Sequence, residues 1–412
     1  MFFRSKWTPL FVSNFLGIFN DNFLKNSIIF IAVAWSKPAW LSQSQLISLV
    51  SASLIVPYLF LSPIGGHLAV IYSKKNIFRI CKLLEIPVLV IACVAFYYQW
   101  VMLAIFSVLM MGILSCLYSP SKYSLIRDIG GAEGVSFGSG VFEMMAFLGI
   151  LIGSVCASFV SDAYNQWLVF GILIGLAVLG YFVTRSIRAT ELPENSKEAG
   201  TLNPIRFLIN SYRFARQHSN VNSAVLGASV FWLIGGMLQM NLVIHTKHYY
   251  HASNSTTGMI LACAAIGIAL GTWAAGKISG KEVKKGLILI GILGMSFLFA
   301  ILTFTTLSFE IYVFVVFASA FMGGLFQIPC LSMLQNANLG RKLGDMIAYL
   351  NLVTFVFVLL GTLLFSLTAH FTSENSFAIF AVMLIICLLT SLYFFRKSPE
   401  FWKETKKLIS PK

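Results

Sequence analysis

Long runs of Leu, Ile, Val, Phe, Ala and Gly alternate along this chain with short breaks that hold most of its charged residues. A helix needs roughly 20 apolar residues to cross a hydrocarbon core of about 30 Å. Divided at the polar breaks, the sequence predicts spans at 8–35, 46–72, 77–98, 101–122, 137–160 and 167–184. Six more follow at 221–245, 258–276, 286–306, 311–334, 344–370 and 377–395. Residues 185–220 interrupt this rhythm with charges, Pro193, Asn195, Gly200 and Pro204, as a linker does, and an amphipathic helix is expected near their end. The first run is too long and too polar in its middle for a cleavable signal, so it reads as a retained span. The expected fold is an all-α membrane protein of twelve transmembrane helices. A six-helix bundle covers 1–184, a linker 185–220, a second six-helix bundle 221–395 and a basic tail 396–412.

Composition strengthens this picture. Hydrophobic residues make up 58% of the chain and charged ones 11%, whereas soluble proteins carry about 25% charged residues. A chain this apolar lacks the polar side chains to cover its surface in water. The net charge of +14 comes from 29 Lys and Arg against 15 Asp and Glu, and position explains it. On the spans above, all but three of the 29 basic residues, from Arg4 to Lys197 to Lys412, fall on the amino-terminal side of the membrane. Lys37 and Lys247 lie opposite, and Lys25 sits inside a span. Lys and Arg resist translocation, so both termini are expected in the cytoplasm. Anionic lipid on that side accounts for the basic charge without nucleic acid. The seven cysteines occupy apolar stretches with no CxxC spacing and read as packing residues.

The two halves echo each other. Pro120 and Glu143 precede FLGILIG, while Pro329 and Asn351 precede FVFVLLG. Such a repeat predicts two pseudo-symmetric bundles with a substrate site near the midplane. The loop GGHLAVIYSKK, from Gly65 to Lys75, resembles the signature of the major facilitator superfamily, with Val70 where the usual Asp would stand. A related GKISGKEVKK follows the eighth span. The strings FNDNFLKN (19–26), RICKLLEIP (79–87), SPSKYSLI (119–126), EMMAFLGILIG (143–153) and VFWLIGG (230–236) resemble the lysophospholipid transporters of that superfamily. The similarity is to the transporter portion of acyltransferase and acyl-carrier-protein synthetase fusions. It implies a flippase that moves lysophospholipid, chiefly lysophosphatidylethanolamine, from the outer to the inner leaflet of a bacterial inner membrane. A separate acyltransferase and acyl-carrier-protein synthetase is the implied partner.

The residues themselves point to a polar site. Asp21 and Lys25 lie mid-span at i, i+4, on one helical face and able to neutralise each other, with Asn14 and Gly17 extending that face. Asn22 belongs to the same FNDNFLKN string. A lone charge at the bilayer centre costs about 2.5–3.5 kcal/mol on insertion scales, so such residues face a bundle interior or a polar cavity. Lys122 and Glu143 are expected to project into the same bundle, where lysines and carboxylates would exchange internal ion pairs for pairs with a lipid phosphate and ammonium. A packing pair for Asp21 and Lys25, and snorkelling for Lys122, are the competing roles. Glu85, three residues after Lys82, reads as a local salt bridge near the cytoplasmic surface as well as a site residue. Phe231, Trp232, Gln239 and Asn241 are expected on an opposite wall, with Asn351 and Gln335 as polar counterparts from the second half. Trp35, Trp40, Tyr97, Tyr98, Trp100, Tyr249 and Tyr250 read as interfacial anchors.

Other chemistry is not supported. GTWAAGKI (271–278) has phosphate-loop spacing but ends in Ile278 rather than Ser or Thr. His245, His248 and His251 lack two carboxylate partners and read as surface histidines, not a metal site. No His is followed five residues later by Asp, the acyltransferase spacing, so neither enzyme activity nor a cofactor is expected. Two rivals stay open: a proton-coupled exporter of amphiphilic drugs using Asp21 or Glu143, and a non-transporting scaffold that docks an acyltransferase.

Overall fold

In hydrocarbon every backbone N–H and C=O must be bonded within the protein, which makes the helix the natural form of an apolar run. A computed structural model describes residues 6–32, 35, 43–162, 165–191, 201–397 and 399–409. Arg4, Lys37, Trp40, Pro193, Asn195, Lys197, Gly200 and Lys412 lie outside the described residues. The elements are α1 (Thr8–Ile31), α2 (Gln43–Ile71), α3 (Lys74–Tyr98), α4 (Val101–Asp162), α5 (Gln166–Arg185), α6 (Pro204–Arg216) and α7 (Val221–His248). There follow α8 (Asn254–Ser279), α9 (Gly286–Phe304), α10 (Phe309–Asn336), α11 (Leu343–Phe371), α12 (Ser376–Lys397) and α13 (Pro399–Ile409).

Ten of these helices are long and apolar enough to cross a membrane. α1 is not among the ten, because Asn14, Asn20, Asp21, Asn22, Lys25 and Asn26 dilute its apolar run. α4 has 62 residues, about 93 Å at 1.5 Å per residue, far too long for one crossing. It is broken at Gly131, where φ is 63° and ψ is −170°. Residues 123–136, expected as a connection, are therefore helical on both sides of that glycine. α6 is the amphipathic helix anticipated in the linker: Phe207, Ser211 and Ala215 are buried, while Arg206, Arg213 and Arg216 are exposed. Phe60, Phe159, Phe297, Phe304, Phe314 and Phe371 are exposed on the spans, an apolar surface suited to lipid.

By proximity the chain divides into two compact units. The first comprises Met1–Ile129, Leu148–Phe214 and Asn338–Leu352. In it, α1 and α3 pack on α5 around Phe23, Leu24, Ile28, Leu89, Phe96, Val169 and Leu173. Trp35, expected as an anchor, is buried edge-on against Phe96 with ring centroids 5.3 Å apart. Asn20 Nδ2 donates to the Leu173 carbonyl at 3.1 Å, tying α1 to α5. A Cβ at Gly153 would lie 2.5 Å from the Phe19 carbonyl oxygen, so only glycine permits this approach of α4 to α1.

Charged side chains satisfy the open helix ends of this unit. The Glu191 carboxylate accepts from the backbone N–H groups of Lys74 and Lys75, at 2.6 and 3.2 Å, and from the Ser73 hydroxyl at 3.1 Å. Arg79 donates to the Thr184 and Arg185 carbonyls at the end of α5. Arg341 donates to the Val70 and Ile71 carbonyls at the end of α2, and Lys74 pairs with Asp128 at 2.6 Å. Val70 removes one carboxylate from this loop, and these contacts hold the loop in its place.

The second unit comprises Gly130–Phe147, Ala215–Ala337 and Val353–Lys412. α10 packs on α7, α8 and α9, and α12 packs on α7 and α9. α13 returns onto α9, burying Phe401, while Thr405 Oγ1 donates to the Gly286 carbonyl at 3.1 Å. His245 is not on the surface as expected. Its Nδ1 lies 2.7 Å from Ser376 Oγ, and Tyr249, Tyr250, Tyr312, Phe377 and Phe380 surround its ring. An imidazole with one satisfied nitrogen behaves as an aromatic filler in such packing.

Glu191→Ala removes three accepted hydrogen bonds at the start of α3. The expected result is a destabilisation of about 1–3 kcal/mol, read as a lower melting temperature of the purified protein in detergent.

Candidate functional site

Three helices of the first unit each present a face with helical spacing. α1 carries Asn14, Gly17, Asp21 and Lys25, α3 carries Lys82 and Glu85, and α4 carries Ser115, Tyr118 and Lys122. Residues three and four apart share a face, so each set projects together. Lys82 Nζ pairs with Glu85 at 2.8 Å, and their side chains are only 2% and 1% exposed. Gly17 leaves the space that this ammonium fills, since a Cβ there would collide with Lys82 Nζ. The Tyr118 ring lies 5.2 Å from Lys82 Nζ and 5.3 Å from Lys122 Nζ, within cation–π range of both. Lys122 Nζ donates to Asn14 Oδ1 at 3.2 Å.

Asp21 stands within electrostatic reach of Lys82, Glu85 and Lys122. Its Oδ2 accepts from the Ser115 hydroxyl at 3.1 Å. Asp21 and Lys25 act on each other electrostatically but without direct contact, and among the described residues no ion pair joins them. Lys25 Nζ donates instead to Asn22 Oδ1 at 3.3 Å, and Asn22 Nδ2 donates to the Ile18 carbonyl at 2.9 Å. Asp21, Asn22 and Lys25 are half-buried, in contrast to the sealed Lys82–Glu85 pair.

The structure thus brings Asn14, Asp21, Asn22, Lys25, Glu85 and Lys122 into one unit. Asn351 belongs to that unit as well, donating to Ser119 Oγ at 3.0 Å. One competing role is set aside: Lys122 is buried on Asn14 and Tyr118 rather than snorkelling, a polar group on another helix taking the place of water. The local salt bridge read for Glu85 is present and fully buried, with Lys82 one turn away on the same helix. Glu143, Trp232 and Gln239 fall in the second unit. Glu143 is buried there, Trp232 stacks on Phe147 with centroids 5.8 Å apart, and Gln239 is exposed. Gln335 is buried and accepts a short hydrogen bond from Ser139. Sequence reasoning missed Lys82, Ser115 and Tyr118 as site residues. The 115–118–122 spacing on α4 was the available signal for the last two. Among the described residues, no three His, Cys, Asp or Glu are grouped to hold a metal ion.

Taken together, these groups offer ammonium donors, a carboxylate acceptor and a π face within one unit, a set able to bind charged groups. Glu85→Gln leaves the buried Lys82 ammonium uncompensated, with an expected cost of about 3–5 kcal/mol. Lys82→Met combined with Glu85→Leu removes both charges and is expected to restore most of that loss, measured by denaturation of the purified variants in detergent.

Comparison with known proteins agrees with the fold. The family model described as Major Facilitator Superfamily matches residues 10–244 and 224–408. The lysophospholipid transporter LplT of Serratia proteamaculans (strain 568) is 24% identical over 327 residues, covering 78% of this chain and 78% of that protein. The LplT of Photorhabdus laumondii is 26% identical over 367 residues, with 86% of each covered. The crystal structure of the E. coli fucose:proton symporter FucP superposes with a TM-score of 0.74 at 14% identity, covering 96% of this chain and 100% of that one. That of the human organic anion transporter MFSD10 gives 0.71 at 13% identity, covering 94% and 99%. With its all-helical architecture and a family match across nearly its whole length, the chain belongs to the Major Facilitator Superfamily of membrane transporters.

Proposed function

We propose that this protein is a lysophospholipid transporter of a bacterial inner membrane. It moves lysophospholipid, chiefly the ethanolamine form, from the outer to the inner leaflet by alternating access, and a separate acyltransferase re-acylates the product. The observation that carries the reading is the cluster of Asp21, Lys25, Lys82, Glu85 and Lys122 within membrane-spanning helices. Intramembrane charges of this kind are functional by default. The similarity to LplT proteins from several bacteria supports the choice of cargo.

The reading takes the chain as twelve crossings: the ten helices above, with α4 counted twice across Gly131, and α1 added. Both termini are cytoplasmic, and the linker 185–220 separates bundles at 1–184 and 221–395 from each other, with a basic tail at 396–412. Within α1, α3 and α4, charges that already satisfy one another admit a headgroup by exchanging partners, so no bare ion is created. The acyl chain remains against apolar groups, because each CH2 brought into water costs about 0.8 kcal/mol.

A second reading, proton-coupled export of amphiphilic drugs, uses the same Asp21, whose carboxylate is half-buried and, among the described residues, has no cation in direct contact. Purified protein in liposomes separates the two. Fluorescent lysophosphatidylethanolamine is expected to change leaflet in a protein-dependent manner. Drug movement down a proton gradient with the lysolipid static would overturn the proposal. Asp21→Asn is expected to lower lysolipid movement at least about tenfold with expression intact. Normal movement in that variant would remove Asp21 from the site.

A further inference from the structure

In the second unit, α13 joins a basic surface to an apolar one. Around this helix Phe401, Thr405 and Leu408 turn inward, Trp402 stands at the edge, and Lys406, Lys403 and Lys407 follow on the outside. The Trp402 ring meets Phe395 of α12 with centroids 5.6 Å apart and lies 5.2 Å from the Lys406 ammonium, within cation–π range. Glu404 is turned onto α9, where its carboxylate accepts from the Gly286 N–H at 3.3 Å. Among the described residues Lys403, Lys406 and Lys407 form no ion pair. Arg396 and Lys397 add two exposed cations at the end of α12.

Phe395 also lines a groove of about 300 Å³ between α9 and α12, together with Leu289, Leu293, Leu388, Ser391 and Leu392. The Ser391 hydroxyl donates to the Leu388 carbonyl at 2.8 Å, which leaves the lining apolar. From Leu388 to Phe395 the groove follows α12 for about 10 Å at 1.5 Å per residue, less than half of a hydrocarbon core of about 30 Å. One stack, Phe395 to Trp402 to Lys406, thus connects an apolar slot of single-leaflet depth to a cluster of unpaired cations at the helix ends.

We infer that this groove holds a resident anionic phospholipid of the surrounding bilayer. One acyl chain lies along Leu289, Leu293, Leu388 and Leu392, and the phosphate is received by Lys406 and Lys403. Apolar walls alone would accept the chain of any lipid, whereas basic side chains beside a span select a negative headgroup. A choline headgroup brings its own cation to the same lysines and forgoes that gain. Trp402, with an apolar ring and an N–H, suits the boundary between chain and headgroup. None of these residues belongs to the charged cluster of α1, α3 and α4, so the inference stands whatever cargo the protein carries.

The test is native mass spectrometry of the full-length protein, purified in detergent and mixed with equal amounts of phosphatidylglycerol and phosphatidylcholine of identical chains. The wild type is expected to retain phosphatidylglycerol at least about tenfold over phosphatidylcholine, the order that two basic side chains supply at a charged lipid. Lys403→Gln combined with Lys406→Gln is expected to bring that ratio toward one. Arg206→Gln combined with Arg213→Gln, which removes the same charge from the exposed face of α6, leaves it in place. Leu392→Trp and, separately, Leu293→Phe narrow the groove and are expected to lower retention of both lipids at least about threefold, the worth of one displaced CH2. The headgroup ratio is read within one preparation, so a smaller yield of folded protein does not move it. A ratio near one in the wild type, or one that the lysine variants leave unchanged, would overturn the inference. So would an equal fall in the α6 variant, the mark of diffuse attraction, or undiminished retention in both groove variants.

Discussion

The structure of the first unit is governed by the cost of charge in a low-dielectric interior. A single uncompensated ion at mid-bilayer is expensive, and this unit carries Asp21, Lys25, Lys82, Glu85 and Lys122 on three of its helices. Their positions are therefore not independent. Lys82 must reach Glu85, Gly17 must leave room for it, and Tyr118 must offer its ring to two ammonium groups. The meeting of side chains from α1, α3 and α4 is in this sense an electrostatic arrangement with an apolar envelope around it.

The same demand appears in another form at the helix ends. Unpaired N–H groups open each helix and unpaired carbonyls close it, and charged side chains are their strongest partners. Glu191 at the start of α3, Arg79 at the end of α5 and Arg341 at the end of α2 meet that demand with residues distant in sequence. With Val70 supplying no carboxylate, the contacts at this loop come from backbone carbonyls and from Asp128. Helix-end chemistry is general enough to be met by different residues, which is why a degenerate motif still sits in an ordered turn.

The candidate site was legible in the sequence only where a residue violated the membrane pattern. Asp21 and Lys25 interrupt an apolar run and announce themselves. Lys82 sits close enough to a predicted span end to read as a loop-side lysine, and only its Glu85 partner and the Tyr118 ring show it to be interior. Ser115 and Tyr118 are ordinary residues for a span, so nothing in their type marks them. His245 misled for the opposite reason: two neighbouring histidines and a nearby span end resemble a surface cluster, while tertiary packing encloses its ring in five aromatic side chains.

Hydropathy by itself determined a helical membrane protein and the approximate place of each long apolar helix, because backbone satisfaction in lipid leaves so few alternatives, whereas α13 lies where the charges read as a tail. The break inside α4 was visible as a polar interval but not as a helix turning on Gly131, since that depends on one residue's dihedral angles. The Lys82–Glu85 pair follows from its i, i+3 spacing, whereas the partners of Asp21 and Lys25 were decided by the tertiary structure. An i, i+4 spacing brings Asp21 and Lys25 within reach of each other, but Ser115 from another helix and Asn22 from the same turn compete for their hydrogen bonds, and that competition is settled only once the helices are packed.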